Sequence, residues 1–197
     1  MHFNLKNIIV FCGSSIGFSK KYTQLAKEFG DFLVQHNMGM VYGGGKVGLM
    51  GVIADQMLSQ DGHVIGVIPK LLEKREVVHR GVSELYVTKT MAERKIKMSE
   101  SGDAYVALPG GLGTLDELFE ALTLQQLHIE QKPVGIVNID GYFDATLAQL
   151  DVMIREGFVK PENKELLIVA ATIEELFEKF EAFKPLDKTP VTDKIVK

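Results

Sequence analysis

Three short apolar runs, each closing on glycine, constrain this chain more than any other feature. Asn7 to Cys12 stops at Gly13, Met38 to Tyr42 at Gly43-Gly44-Gly45, and Ala104 to Leu108 at Pro109-Gly110-Gly111. An apolar run of this length bounded by glycine reads as a strand buried on both faces, as in parallel sheets. Helical periods follow. From Ser19 to His36 the residues Tyr22, Leu25, Ala26, Phe29, Phe32 and Leu33 recur at three- and four-residue steps, with Ser19 placed to cap the start. Further helices are expected over Leu49–Ser59, Thr90–Ser101, Thr114–His128, Phe143–Glu156 and Thr172–Phe183. Strands are expected at His63–Ile68, Glu84–Thr88, Val134–Asn138 and Leu166–Ala170, while polar, basic Lys70–Gly81 reads as a loop or a short irregular helix.

This alternation predicts an α/β fold: a doubly wound, Rossmann-like, mostly parallel sheet with helices on both faces. The chain shows no repeat, low-complexity tract or linker, so a single domain over residues 1–183 is expected, with a loosely ordered tail at 184–197. Ligands of such sheets bind at the carboxyl ends of the strands. Every glycine cluster follows a strand, so the clusters should converge on that edge.

Charge and composition narrow the partners. A net charge of −4 argues against nucleic acid or an acidic membrane held by bulk charge. No apolar run approaches the length of a membrane span, and Met1 to Lys6 lacks the charged start and apolar stretch of a secretory signal. The one cysteine, Cys12, cannot form an internal disulfide, which points to the reducing cytoplasm. The histidines, at 2, 36, 63, 79 and 128, have no metal-ligand spacing with each other or with Cys12, and His79 is expected at the surface.

The most informative stretch is Pro109-Gly110-Gly111-Leu112-Gly113-Thr114-Leu115-Asp116-Glu117. Strand, glycine turn and helix start put free N–H groups and a positive dipole end together, a site for an anion such as phosphate. Thr114 and Glu117 also fit a capping box, hydroxyl to one backbone N–H and carboxylate back to another. Gly43 to Gly48 matches GxGxxG, but it follows the second strand and no acidic residue is placed to hold a ribose diol. It reads better as a one-phosphate turn in which Gly44 and Gly45 assist. Gly13 to Gly17 matches GxSxG on the first strand, whereas hydrolases carry that elbow later. Ser14 and Ser15 read as donors to a polar ligand. On the helix opened by Thr90 and Glu93, a capping-box pair, Arg94 shares an apolar stripe with Met91 and Met98 and therefore needs an anionic partner. That partner could be structural or at the site edge.

Several of these segments, in order, resemble one family. PGGLGTLDE resembles the PGGxGTxxE signature of the LOG (Lonely Guy) cytokinin riboside 5′-monophosphate phosphoribohydrolases, long labelled lysine decarboxylases. Phe11-Cys12-Gly13-Ser14-Ser15, Tyr42 to Gly45 with Gly48 to Gly51, Met91 to Lys95, Lys132 to Gly135 and Asp140-Gly141-Tyr142 resemble its other segments. The resemblance implies a hydrolase that splits adenosine 5′-monophosphate, or an N6-prenylated form, into free base and ribose 5-phosphate without a metal or other cofactor. It implies Arg94 and Glu117 as the catalytic pair. It implies substrate contacts at Glu76, Arg94, Lys95, Gly110, Gly111, Leu112, Gly113, Thr114, Leu115, Asp116 and Thr123, and a homodimer. Leu112 and Ala92 depart from a common tyrosine and histidine. A related binding protein, a molybdenum-cofactor carrier, keeps a non-catalytic carrier as the alternative. Arg94 is expected to hold Glu117 ionised, because a nearby cation lowers a carboxylate pKa.

Overall fold

In a computed structural model describing residues 5–73 and 78–185, the seven strands lie in one sheet, and every pairing is parallel. The strands are β1 (Asn7–Phe11), β2 (Gly39–Tyr42), β3 (Val64–Pro69), β4 (Glu84–Thr88), β5 (Ala104–Ala107), β6 (Val134–Val137) and β7 (Leu167–Ala170). Their order across the sheet is β4-β3-β2-β1-β5-β6-β7. The chain winds outward from β1 to β4, then returns to the other side of β1 and winds outward again. β1 and β5 are therefore neighbours at the point where the winding reverses, which is where doubly wound sheets open a crevice.

The helices are α1 (Lys20–Gln35), α2 (Gly48–Leu58), the single turn α3 (Lys70–Glu73), α4 (Met91–Glu100), α5 (Leu112–Gln126), α6 (Asp144–Arg155) and α7 (Ile173–Glu181). One core packs α1, α2 and α7 on one face of the sheet: Phe29, Leu33, Ile53, Met57 and Phe177 meet Ile8, Met40 and Val106. The other packs α4, α5 and α6 on the opposite face, where Met98, Leu118 and Leu147 meet Ile9, Phe11, Val67 and Ile136. Alternate residues of β1 serve opposite faces, as the two-residue period of a strand requires. Helices do lie on both faces, and the sheet is wholly parallel.

The return from β4, at one edge, to β5, near the centre, carries α4 across the second face and beside α5. Its start is a reciprocal cap: the Glu93 N–H donates to Thr90 Oγ1 (3.1 Å) and the Lys89 N–H to Glu93 Oε2 (2.8 Å). The expected irregular stretch after β3 is one helical turn, and Glu76 lies outside the described residues, as does the tail beyond 185. Among the described residues, no helix is long and apolar enough to cross a membrane.

Candidate active site

All seven strands point the same way, so the turns after β1, β2 and β5 leave from one edge. Direct contacts tie them together there. The Gly13 N–H donates to the Pro109 carbonyl (3.1 Å), and the Leu49 N–H donates to the Gly13 carbonyl (3.0 Å). Gly48, at φ +69°, packs so closely on Ser14 that a Cβ would lie 2.2 Å from its carbonyl carbon. A Cβ on Gly110 would lie 2.1 Å from Thr114 Oγ1 and 2.8 Å from the Gly13 nitrogen. The glycines at these two contacts are there because the backbones touch.

Gly111 and Gly113 are different. Both are exposed, and a Cβ on either would meet nothing within 4 Å. Packing does not explain them, whereas room for a bound group does. Gly111 is the N-cap of α5 and supplies no side-chain cap. Thr114 is therefore not a cap, as the alternative capping-box reading had it; it sits inside the first turn. Its hydroxyl is 97% buried with its residue and has no hydrogen-bond partner. A buried hydroxyl left unpaired costs free energy unless something else binds it. Beside this turn, a cleft of about 260 Å³ is lined by Gly13, Ser14, Leu49, Gly110, Gly111 and Tyr142. The dipole end of α5 and the open glycines suit it to an anion; the Thr114 hydroxyl lies behind the turn, against Gly110.

Glu117, one turn into α5, does not close a capping box either. One of its oxygens accepts from Arg94 Nη1 at 2.9 Å, and Arg94 Nε donates to the Val67 carbonyl at 3.1 Å. The two side chains are only 11% and 14% exposed. The anionic partner that Arg94 required is thus Glu117, and β3 supplies the second grip. The same guanidinium lies against the second glycine turn, where a Cβ on Gly43 would fall 2.4 Å from Arg94 Nη2. Burial raises the Glu117 pKa above the usual carboxylate value and outweighs the lowering by Arg94. Arg94 does pull the pKa down, as expected, but the net direction is upward, which corrects the expectation that Arg94 would hold the carboxyl ionised. Burial, then the Glu117 charge, also push up the neighbouring Cys12 thiol, which behaves as a core residue.

The remaining expected positions divide. Ser14 is exposed at the cleft, and Leu112 stands out from the helix start. Leu115 is half-buried behind it. Lys95 Nζ pairs with Asp116 (2.9 Å) and Glu120 (2.7 Å); burial lowers its pKa, and those two partners more than restore it. Gly44 and Gly45 are buried beneath Val78-His79, which bridges Gly45 and donates the His79 N–H to the Gly44 carbonyl (2.9 Å). Thr123 is about 13 Å along α5 from Thr114, with its hydroxyl on the Phe119 carbonyl. His79 is not at the surface: it is 4% exposed, its Nδ1 accepts from the Gly81 N–H, and its Nε2 bonds Asp55 at 2.9 Å.

Two features escaped the sequence reading. A mainly apolar cavity of about 340 Å³ opens between α4 and α5, with Glu117 and Lys95 among its lining residues and Phe11, Ile96, Leu124 and Ile129 forming much of its wall. Only the packing of α4 beside α5 creates it. Tyr142 also reaches the glycine turn. Its signal was the Asp140-Gly141-Tyr142 segment, read only as a resemblance, which forms a fourth turn leaving the same edge of the sheet.

A family model described as "Possible lysine decarboxylase" matches residues 50–180. A probable cytokinin riboside 5′-monophosphate phosphoribohydrolase of Oryza sativa subsp. japonica is 45% identical over 180 residues, 91% of this chain and 72% of that protein. A cytokinin riboside 5′-monophosphate phosphoribohydrolase of Arabidopsis thaliana is 42% identical over 187 residues, 95% of this chain and 87% of that protein. Among solved structures, a molybdenum cofactor binding protein of Rippkaea orientalis has a TM-score of 0.67 at 22% identity, covering 90% of this chain and 96% of that one. A Moco carrier protein of Chlamydomonas reinhardtii has a TM-score of 0.66 at 21% identity, with the same coverage. At that identity the two structures speak to the fold alone.

Proposed function

This chain belongs to the LOG family of cytokinin riboside 5′-monophosphate phosphoribohydrolases, and from that premise we propose that it hydrolyses the N-glycosidic bond of adenosine 5′-monophosphate or of N6-prenylated riboside 5′-monophosphates. The products are the free base and ribose 5-phosphate. One observation carries the reading: a buried Arg94–Glu117 pair stands one helical turn from an open glycine turn with an unpartnered threonine hydroxyl. A phosphate on the turn and a carboxylate beside it are the two groups that this reaction needs.

N-glycoside hydrolysis develops positive charge on the sugar ring, as O-glycoside hydrolysis does. Backbone N–H groups of Gly111 to Thr114 hold the 5′-phosphate. Ser14 contacts the polar part of the ligand. Ionised Glu117 stabilises the ring cation and takes a proton from the water whose oxygen bonds to the anomeric carbon. The electrons of the broken C–N bond leave with the base, which takes up a proton. Arg94 orients the carboxylate and offsets part of its burial cost. Lys95 and Asp116 lie on the same side. The apolar cavity that reaches Glu117 supports a base bearing an apolar substituent. Exposed Met91, Ile96, Leu127 and Ile129 on and beside α4 and α5 support a homodimer. The buried free thiol of Cys12 suits the reducing cytoplasm.

A carrier of this fold would bind a nucleotide or cofactor without product. The Arg94–Glu117 pair favours the enzyme, because a carrier has no need of a desolvated carboxylate at its binding site. The test is to incubate the protein with a panel of nucleoside monophosphates and detect released base by chromatography. Free adenine or its N6-substituted form is expected, together with ribose 5-phosphate. Tight binding with no product would overturn the proposal.

A further inference from the structure

The peptide between Gly110 and Gly111 is flanked on both sides by residues without a Cβ, so its rotation meets little steric resistance. An anion-binding turn cannot tolerate that freedom. A carbonyl turned toward the ligand would present the negative end of the peptide dipole to a phosphate. Three successive carbonyls flank the first donor of the turn, and each is occupied. Pro109 O accepts from the Gly13 N–H (3.1 Å), and Gly111 O accepts from the Leu115 N–H (3.2 Å). Gly110 O, between them, accepts from a side chain: Tyr142 Oη donates to it at 2.6 Å.

The segment that delivers this hydroxyl is held at several points. Asn138 donates its N–H to Ala170 O (2.7 Å), its Oδ1 accepts from the Phe143 N–H (2.7 Å), and its Nδ2 donates to Asp144 (2.8 Å). Asp140 sits at φ +48° and pairs with Lys21 of α1 at 2.9 Å. The Tyr142 ring packs edge-on against Tyr22 (centroids 5.5 Å apart) and Phe143 (5.0 Å) and forms a wall of the cleft. A turn in a strained conformation, fastened to two other elements, serves to hold one phenol on one carbonyl.

We propose that Tyr142 is a positioning residue for phosphate recognition: its hydroxyl locks the Gly110–Gly111 peptide with the carbonyl toward the tyrosine and the Gly111 N–H on the opposite side, free for the anion. In a trans peptide the two groups point opposite ways, so fixing one fixes the other. Tyr142 acts through the turn and takes no part in bond breaking. The inference rests on the reading that this turn holds the 5′-phosphate, and it does not require that the protein turn over.

The experiment compares the wild type with Tyr142→Phe, which keeps the ring packing and removes only the hydroxyl. Calorimetric titration with ribose 5-phosphate, adenosine 5′-monophosphate and adenosine is run beside steady-state kinetics. In Tyr142→Phe both phosphorylated ligands should bind about three- to tenfold more weakly, the scale of one net hydrogen bond. Adenosine binding should be unaltered, and KM should rise by more than kcat falls. Unchanged affinity for ribose 5-phosphate overturns the proposal, as does an equal loss for adenosine, which would mean that the ring or the fold was disturbed. A wild type that binds ribose 5-phosphate but splits no nucleotide defeats the hydrolase reading and leaves Tyr142 testable by the same titrations. A wild type that binds no phosphorylated ligand overturns both.

Discussion

Replacing Arg94 with methionine should move the acid limb of the pH–activity profile upward, and the structure gives the size of the move. Burial already raises the Glu117 pKa, and Arg94 is the largest influence pulling it back. The substitution removes a 2.9 Å charge-assisted bond between side chains that are 11% and 14% exposed, so solvent screens little of it. Such a bond is worth about 1.5–3 kcal/mol. The Glu117 pKa should climb, and at a given pH on the acid limb activity should fall by about ten- to a hundredfold, the same free energy read as a ratio. The reaction uses the ionised carboxylate, so activity at low pH falls first and the limb follows the pKa. The assay is kcat/KM for adenosine monophosphate from pH 5 to pH 9 in both proteins.

Stability should follow the same sign. A carboxylate whose folded pKa lies above its unfolded value binds protons more tightly when folded. Its contribution is present below the unfolded pKa and is lost as pH rises through the folded pKa. Arg94→Met should therefore be more destabilised at pH 8 than at pH 5, by no more than the about 1.5–3 kcal/mol that the lost bond is worth. An activity loss with the acid limb unmoved, or a destabilisation independent of pH, would refute the coupling of Arg94 to the ionisation of Glu117.

Other outcomes follow from the same geometry. Glu117→Gln should keep nucleotide binding, measured by calorimetry, and lose about 10²–10⁴ in turnover; near-full turnover would remove Glu117 from the mechanism. Thr114→Val should leave the denaturation midpoint unchanged or slightly raised, because the hydroxyl it deletes has no protein partner. A large stability loss would show that the hydroxyl is structural. Gly48→Ala places a Cβ 2.2 Å from Ser14 at a positive φ, and should cost several kcal/mol in urea denaturation, where an unstrained Gly-to-Ala change would stabilise by roughly 0.4–1 kcal/mol. Adenosine should be split far more slowly than its monophosphate in a base-release assay; equal rates would remove the phosphate from recognition.

Much of this architecture was legible because burial on both faces leaves a strong imprint. β1 beyond Asn7, β2 and β5 are apolar runs that lead into glycine turns, and had to be parallel and central. Parallel strands have only one carboxyl edge, so the convergence of the three turns followed from the strands themselves. The caps at Ser19 and Thr90 are local side chain–backbone bonds that sequence spacing reports well. Thr114 misled for a physical reason: T-x-x-E has the spacing of a capping box, but Gly111 takes the extended conformation that starts the helix earlier. The Thr114–Glu117 pair was thereby released for other contacts.

The direction of the Glu117 pKa was not legible, because it depends on how deeply α4 and β3 bury the side chain. His79 was misplaced because a polar, basic stretch reads as solvated. Its burial depends on partners distant in sequence, Asp55 and the Gly44 carbonyl. The cavity between α4 and α5 arises from the crossing of α4 over the sheet, which no local pattern encodes.

The most direct measurement is a crystal structure of the Glu117→Gln variant with adenosine 5′-monophosphate bound. The account predicts the phosphate on the N–H groups of Gly111 to Thr114, with the anomeric carbon facing residue 117. A phosphate seated away from that turn, or a sugar whose anomeric carbon faces away from residue 117, would contradict it.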